Sequence, residues 1–353
     1  MSHPLVDRIA EAVMYEGYIL YPYRPSIKNH QRWTFGGLFP EDYCQAAWSG
    51  DRSTIQTQCP VRGTLETCLT VRVRFLHLIN RQVGVVDPPA TQWRDEAPPP
   101  YQLAPSVLVA GVTHQAWQEA EEREIRLAPV RLRTMTAGQF HHEFTFPRLR
   151  CIELLYEPSG EIAGVLIREQ EAVAGAIDLE TEQIRPEVFR LTVRVSCKSE
   201  LNQPATAITR DNAALRSLVS THVILTISEG EFASLSDPPE WGRDAAASCR
   251  NVGTWPVLFG EEGETHTILS APIILPDYPQ IAPESAGDYF DGTEIDEMLT
   301  LRILTLTDDE KQSMARVDPL AHALLARTEA MDGGARMGLH GILRSGWSPK
   351  EEG

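Results

Sequence analysis

Positive charge is scarce in this 353-residue chain: 32 Lys and Arg stand against 49 Asp and Glu, a formal net charge of −17. A nucleic-acid binder needs a basic footprint that displaces counterions from phosphates, so this balance argues against that class. An anionic membrane surface is disfavoured for the same reason. Long apolar runs are also missing. No segment approaches the roughly 18 residues of a membrane span, and the first apolar stretch is broken by Asp7, Arg8 and Glu11. With no secretory leader pattern, cytoplasmic residence without membrane insertion is the expectation. Cysteine is sparse: Cys44, Cys59, Cys68, Cys151, Cys197 and Cys249, none in a CxxC pair. That excludes the usual spacing of a zinc ribbon or redox dithiol and falls short of a disulfide scaffold. Reduced, mostly buried thiols are expected. No Walker-type phosphate loop, dinucleotide fingerprint, GxSxG elbow, HExxH helix or calcium-loop spacing occurs, so no catalytic residue, cofactor or metal is assigned.

What is present is a folded-protein composition, 42% hydrophobic and 23% charged, patterned mostly as strands. Over 64–79, Leu65, Thr67, Leu69, Val71, Val73, Phe75 and His77 alternate with Glu66, Thr70, Arg72 and Arg74. Over 189–198, Leu191, Val193, Val195 and Cys197 alternate with Arg190, Thr192, Arg194 and Lys198. Strict period-2 alternation means strands with one buried and one wet face, typical of antiparallel sheets. The pentapeptide LTVRV occurs at both 69–73 and 191–195. It is short enough to arise by coincidence as readily as by duplication. Its apolar residues are expected to share one core. Further strands are expected at 123–134, 139–146, 150–157, 162–168, 219–228, 255–259 and 266–275, several separated by Gly-containing turns. The alternating helices of a doubly wound fold are missing.

The fold class expected is therefore α+β: a mainly antiparallel β, sandwich-like body with a C-terminal helical extension. The body spans 1–285, with a short N-terminal helix at 2–13 and a Pro-rich loop at 87–105. The extension spans 286–345. Its helices are marked by the Ile295, Met298, Leu299, Ile303 stripe, by the capping box at Thr307 and by Asp318-Pro319. Residues 346–353 read as a disordered tail.

One segment departs from the acidic background. YPYRPSIKNHQRWTFGG (21–37) carries three cations and no acid, interleaved with aromatics. Tyr23, Arg24, Lys28, Arg32 and Trp33 are the candidates for partner or ligand binding, because Arg and aromatic side chains dominate contact hot spots. The competing reading is an irregular buried segment whose cations pair locally. His141 and His142 are adjacent, but neighbours on a strand point to opposite faces and cannot chelate one metal together. His77 and His142 read as core histidines. A metal site assembled from His77, His142, His222 or His266 with a cysteine is the less favoured alternative.

This basic aromatic segment, STHVILTISEGEFASLSDPPEW (220–241) and the acidic stretch SAPIILPDYPQIAPESAGDYFDGTEIDEMLTLRILTLTDDEKQSMARVDP (270–319) together resemble an uncharacterised bacterial protein family. That family is associated with gene clusters for high-affinity uptake nickel–iron (NiFe) hydrogenases. The resemblance covers most of the chain and implies a non-enzymatic accessory role in hydrogenase assembly, maturation or scaffolding. Its implied partners are hydrogenase subunits or maturation factors. It supplies no catalytic residues. The alternatives are an enzyme with a pocket near Arg24, Arg32 and Trp33, and a structural subunit of a larger complex.

Overall fold

The computed structural model describes residues 36–47, 50–91, 97–279 and 325–326. The chain divides into two units, Met1–Val6 with Trp33–Pro279 and Asp7–Arg32 with Gln280–Gly353. Apart from the helical Leu325 and Ala326, the described residues all belong to the first unit. The helix expected at 2–13, the tail, and the helical extension beyond Leu325 and Ala326 lie outside the described residues.

Among its described residues the first unit is mostly antiparallel sheet with few, short helices. Its organising element is β1, Thr54–Ala90, a strand of 37 residues. Held straight it would reach about 120 Å at 3.3 Å per residue. It bends instead, with register shifts against its neighbour β12 (Val219–Phe232) between Gly63 and Cys68 and between Arg74 and Leu76. The first bend has a local cause. Gly63 faces Gly230 across the strands, and a Cβ on Gly63 would meet the Thr67 hydroxyl at 2.4 Å. That hydroxyl accepts from the Thr64 amide at 2.9 Å and donates to the Glu229 carbonyl at 3.0 Å, stitching the bend closed. Bulges of this kind let one strand serve two sheet directions.

Along β1 the partners change. Its first third pairs with β11 (Val188–Cys197), which pairs with β10 (Val173–Arg185), which pairs with β7 (Phe140–Phe146). Its middle pairs with β12 on one edge and with β5 (Trp117–Arg126) and β6 (Val130–Arg131) on the other. Beyond β12 lie β14 (Thr267–Ala271) and β13 (Trp255–Leu258). The last third pairs with β2 (Gln102–Ala104) and β9 (Ile162–Gln170), which carries β8 (Leu149–Tyr156) on its outer side. A separate hairpin joins β3 (Ser106–Val109) to β4 (Val112–Gln115).

Leu69, Val71 and Val73 of β1 and Leu191, Val193 and Val195 of β11 are buried in one cluster, as the alternation requires. Leu65, in contrast, is exposed, because it sits in the bend and not on a straight strand. The opposite face of β1 is not wet throughout: Arg74, Leu76 and Leu78 are buried. The strand expected at 123–134 ends early. Pro129 cannot donate to the ladder. After two residues of β6 the chain becomes α2 (Leu132–Ala137), counted after α1 (Glu41–Ala47), and buries Leu132 and Met135 over the core. The strand β10 was not foreseen. Its run VAGAIDLETEQIR is weakened by small residues, but Gly175 has a reason: a Cβ there would strike the Phe144 ring at 2.3 Å. The Pro-rich stretch 87–105 is strand at both ends, in β1 up to Ala90 and in β2.

Candidate functional site

Tyr23, Arg24, Lys28, Arg32 and Trp33 all lie outside the described residues, so the structure brings nothing to them. The histidines considered for a metal are each engaged separately or apart. His77 contacts the Glu171 carbonyl at 2.8 Å, His222 the Ser220 carbonyl at 2.7 Å and His266 the Gly230 carbonyl at 2.8 Å. His142 is half-buried on the inner face of β7, and His141 points outward to Asp178 at 2.7 Å and Glu143 at 3.3 Å. The two carboxylates hold His141 above its ordinary pKa, Asp178 contributing most. Among the described residues no group of three or more His, Cys, Asp or Glu is placed to hold a metal ion. Cys44, Cys59, Cys197 and Cys249 are not poised as nucleophiles, since a raised pKa depletes the thiolate. Burial pushes Cys44 and Cys249 up to about 11, and raises Cys59 and Cys197 as well.

The feature that stands out is a lobe built where β1 runs past the main core. Across it the order is β2, β1, β9, β8, with Leu103, Gly84, Val165 and Leu154 in one row. One face packs Val83, Leu155 and Leu166 against Val107 and Val109 of the β3–β4 hairpin. The hairpin closes through Ala110 and Gly111 at φ 51° and 76°, the positive pair that a two-residue turn with the strands' twist demands. The other face packs Val86, Ile162, Val165 and Ile167 with Tyr101. Gly84 permits this, because a Cβ there would meet the Tyr101 ring at 2.5 Å. Of the nine large apolar side chains exposed among the described residues, five are here: Leu103, Leu108, Val112, Leu149 and Tyr156. Leu108 is 65% exposed at the hairpin and Tyr156 54% at the end of β8. Among the described residues β8 pairs only with β9 and is an outer strand. Single exposed apolar residues are ordinary; these five share one lobe, Leu103 in the row of Gly84 and Val165 on the Tyr101 side and Leu108 on the outer side of the hairpin, between the inward Val107 and Val109.

Charged pairs tie this lobe to the core. Arg81 and Arg168 share the Glu119 carboxylate at 2.7 and 2.8 Å, and Arg168 also reaches Glu153 at 3.1 Å. Arg81 further donates to the Gln115 carbonyl at 3.2 Å, holding the hairpin. Where the lobe meets the core, His77 stands opposite Glu121, and Phe75 opposite Arg123. Arg123 bonds Glu121 at 2.8 Å and Gln170 at 3.3 Å, and its guanidinium lies 4.8 Å from the centre of the Phe146 ring. Gln170 returns a bond to Glu121 at 2.9 Å. Burial lowers the His77 pKa and Arg123 lowers it further, against the opposing pull of the Glu171 carbonyl and Glu121. Chemically this is a set of mutually neutralised charges that fixes geometry. It offers no unpaired acid beside a nucleophile.

Sequence reading placed β8 and β9, expected at 150–157 and 162–168, but not β2, the β3–β4 hairpin or the first half of β5. WQEAEEREIR carries charge on both faces of β5 and hides its period. The local signal for the hairpin, VLVAGVTH with a Gly at the turn, was available.

No protein-family model matches the chain, and no curated protein is significantly similar to it. Among the described residues no helix is long and apolar enough to cross a membrane.

Proposed function

We propose that this protein is a non-enzymatic accessory that works by binding another protein, and that the lobe of β2–β4, β8 and β9 is its contact surface. The carrying observation is the concentration of exposed Leu103, Leu108, Val112, Leu149 and Tyr156 on that lobe. Covering such side chains drives association, at roughly 25 cal/mol for each Å² of apolar surface removed from water. The lobe is held to the core by paired arginines and carboxylates, so its surface is presented on a fixed base. In this reading the β body is a sandwich-like scaffold, 286–345 a helical extension, and the setting cytoplasmic. The resemblance described above supports a nickel–iron hydrogenase subunit or maturation factor as the partner. The test is a Leu103→Ser, Leu108→Ser double variant purified from the native host. Both side chains are exposed, so melting should stay within a few degrees of the parent while the co-purifying partner is lost. Full partner recovery would overturn the assignment of the lobe.

A further inference from the structure

We infer that His77 and Arg123 together hold one small neutral hydroxylic molecule, an internal water, at the junction of lobe and core. His77 Nε2 faces the Glu171 carbonyl at 2.8 Å. A carbonyl only accepts, so the proton sits on Nε2 and Nδ1 presents a lone pair. His77 is fully buried, and Nδ1 has no hydrogen-bond partner among the described residues. Arg123 spends NH1 on Glu121 and NH2 on Gln170, and its Nε–H is likewise buried without a partner among the described residues. One orphan is an acceptor and the other a donor. Because His77 pairs with Glu121 and Arg123 with Phe75, the two occupy diagonal positions on the same face of adjacent strands, within reach of long side chains. Both also flank the same ring: His77 lies 6.3 Å from the Phe146 centroid and Arg123 4.8 Å.

A water accepts from Arg123 Nε–H and donates to His77 Nδ1, satisfying both with one molecule. Its second hydrogen has Gln170 Oε1 as an acceptor, whose contact with Arg123 is long at 3.3 Å. An anion suits the guanidinium but is repelled by the Nδ1 lone pair, so the neutral ligand is the one the pair selects. The molecule bridges β1 to β5 at the rung where the lobe begins.

A crystal structure of the full chain at about 1.5 Å, near pH 7.5, should show a density peak within about 3 Å of both Nδ1 and Nε. Crystals soaked in bromide should show no anomalous signal there. An absent peak overturns the inference, and a bromide signal in its place overturns the neutral assignment in favour of an anion site. In solution, Arg123→Lys removes Nε–H and keeps the charge. By oxygen-17 relaxation dispersion it should lose one long-lived water relative to the parent, and an unchanged count also overturns the inference.

Discussion

His222 gives the sharpest physical test of the fold. It lies on β12 opposite Arg74, fully buried, with Nδ1 donating to the Ser220 carbonyl at 2.7 Å and Nε2 without a partner among the described residues. Burial disfavours its charged form and Arg74 adds repulsion; the Ser220 carbonyl pulls the other way without prevailing. The pKa falls to about 4 from 6.5. The native state therefore stays neutral while the unfolded chain takes up a proton. The contribution is fully present above about pH 6.5, is lost progressively as pH falls, and is flat again below about pH 4. At 1.36 kcal/mol per unit this amounts to about 3 kcal/mol, or roughly 6–12 °C in melting temperature for a unit of this size. His222→Gln removes the titration but keeps an amide donor for Ser220. Melting curves of parent and variant at pH 7.5 and 4 separate this effect from carboxylate protonation, which both share. The parent should lose about 3 kcal/mol more than the variant between those pH values. Parallel losses would refute the reasoning, since they would mean that His222 is solvated or already charged.

Other outcomes follow from the same packing. Val193→Asp puts an unpaired charge into the shared core of β1 and β11 and should cost on the order of 3 kcal/mol or more; melting within a degree or two of the parent would show the strand is misplaced. Asp178→Asn removes the main cause of the raised His141 pKa, so that titration followed by NMR should move down towards the ordinary range. A thiol-alkylating reagent at pH 7.5 should modify exposed Cys151 fastest and leave Cys59 and Cys197 unmodified until unfolding, which peptide mass mapping reads directly.

Strand content and core membership were legible because period-2 alternation leaves one answer for which side is buried. Leu69, Val71, Val73, Leu191, Val193 and Val195 all follow it. The length of β1 was not legible. Its continuity through the Gly63 bend depends on Thr67 and Gly230, a contact 162 positions away for Thr67 and Glu229. β10 escaped notice because its inward positions include Gly175, whose meaning appears only with Phe144 beside it. The candidate surface was hidden for a different reason. Tyr156 falls in the strand expected at 150–157 and Leu108 in no expected element, and the exposure of both shows only in the folded lobe.

Photo-crosslinking in the native host tests the central claim most directly. Benzoylphenylalanine placed at position 108 on the hairpin should give a discrete crosslinked species in which mass spectrometry finds one defined protein partner. The same probe at position 226, exposed on β12 away from the lobe, should give none. Crosslinking from 226 with none from 108 would contradict the assignment of the lobe as the contact surface.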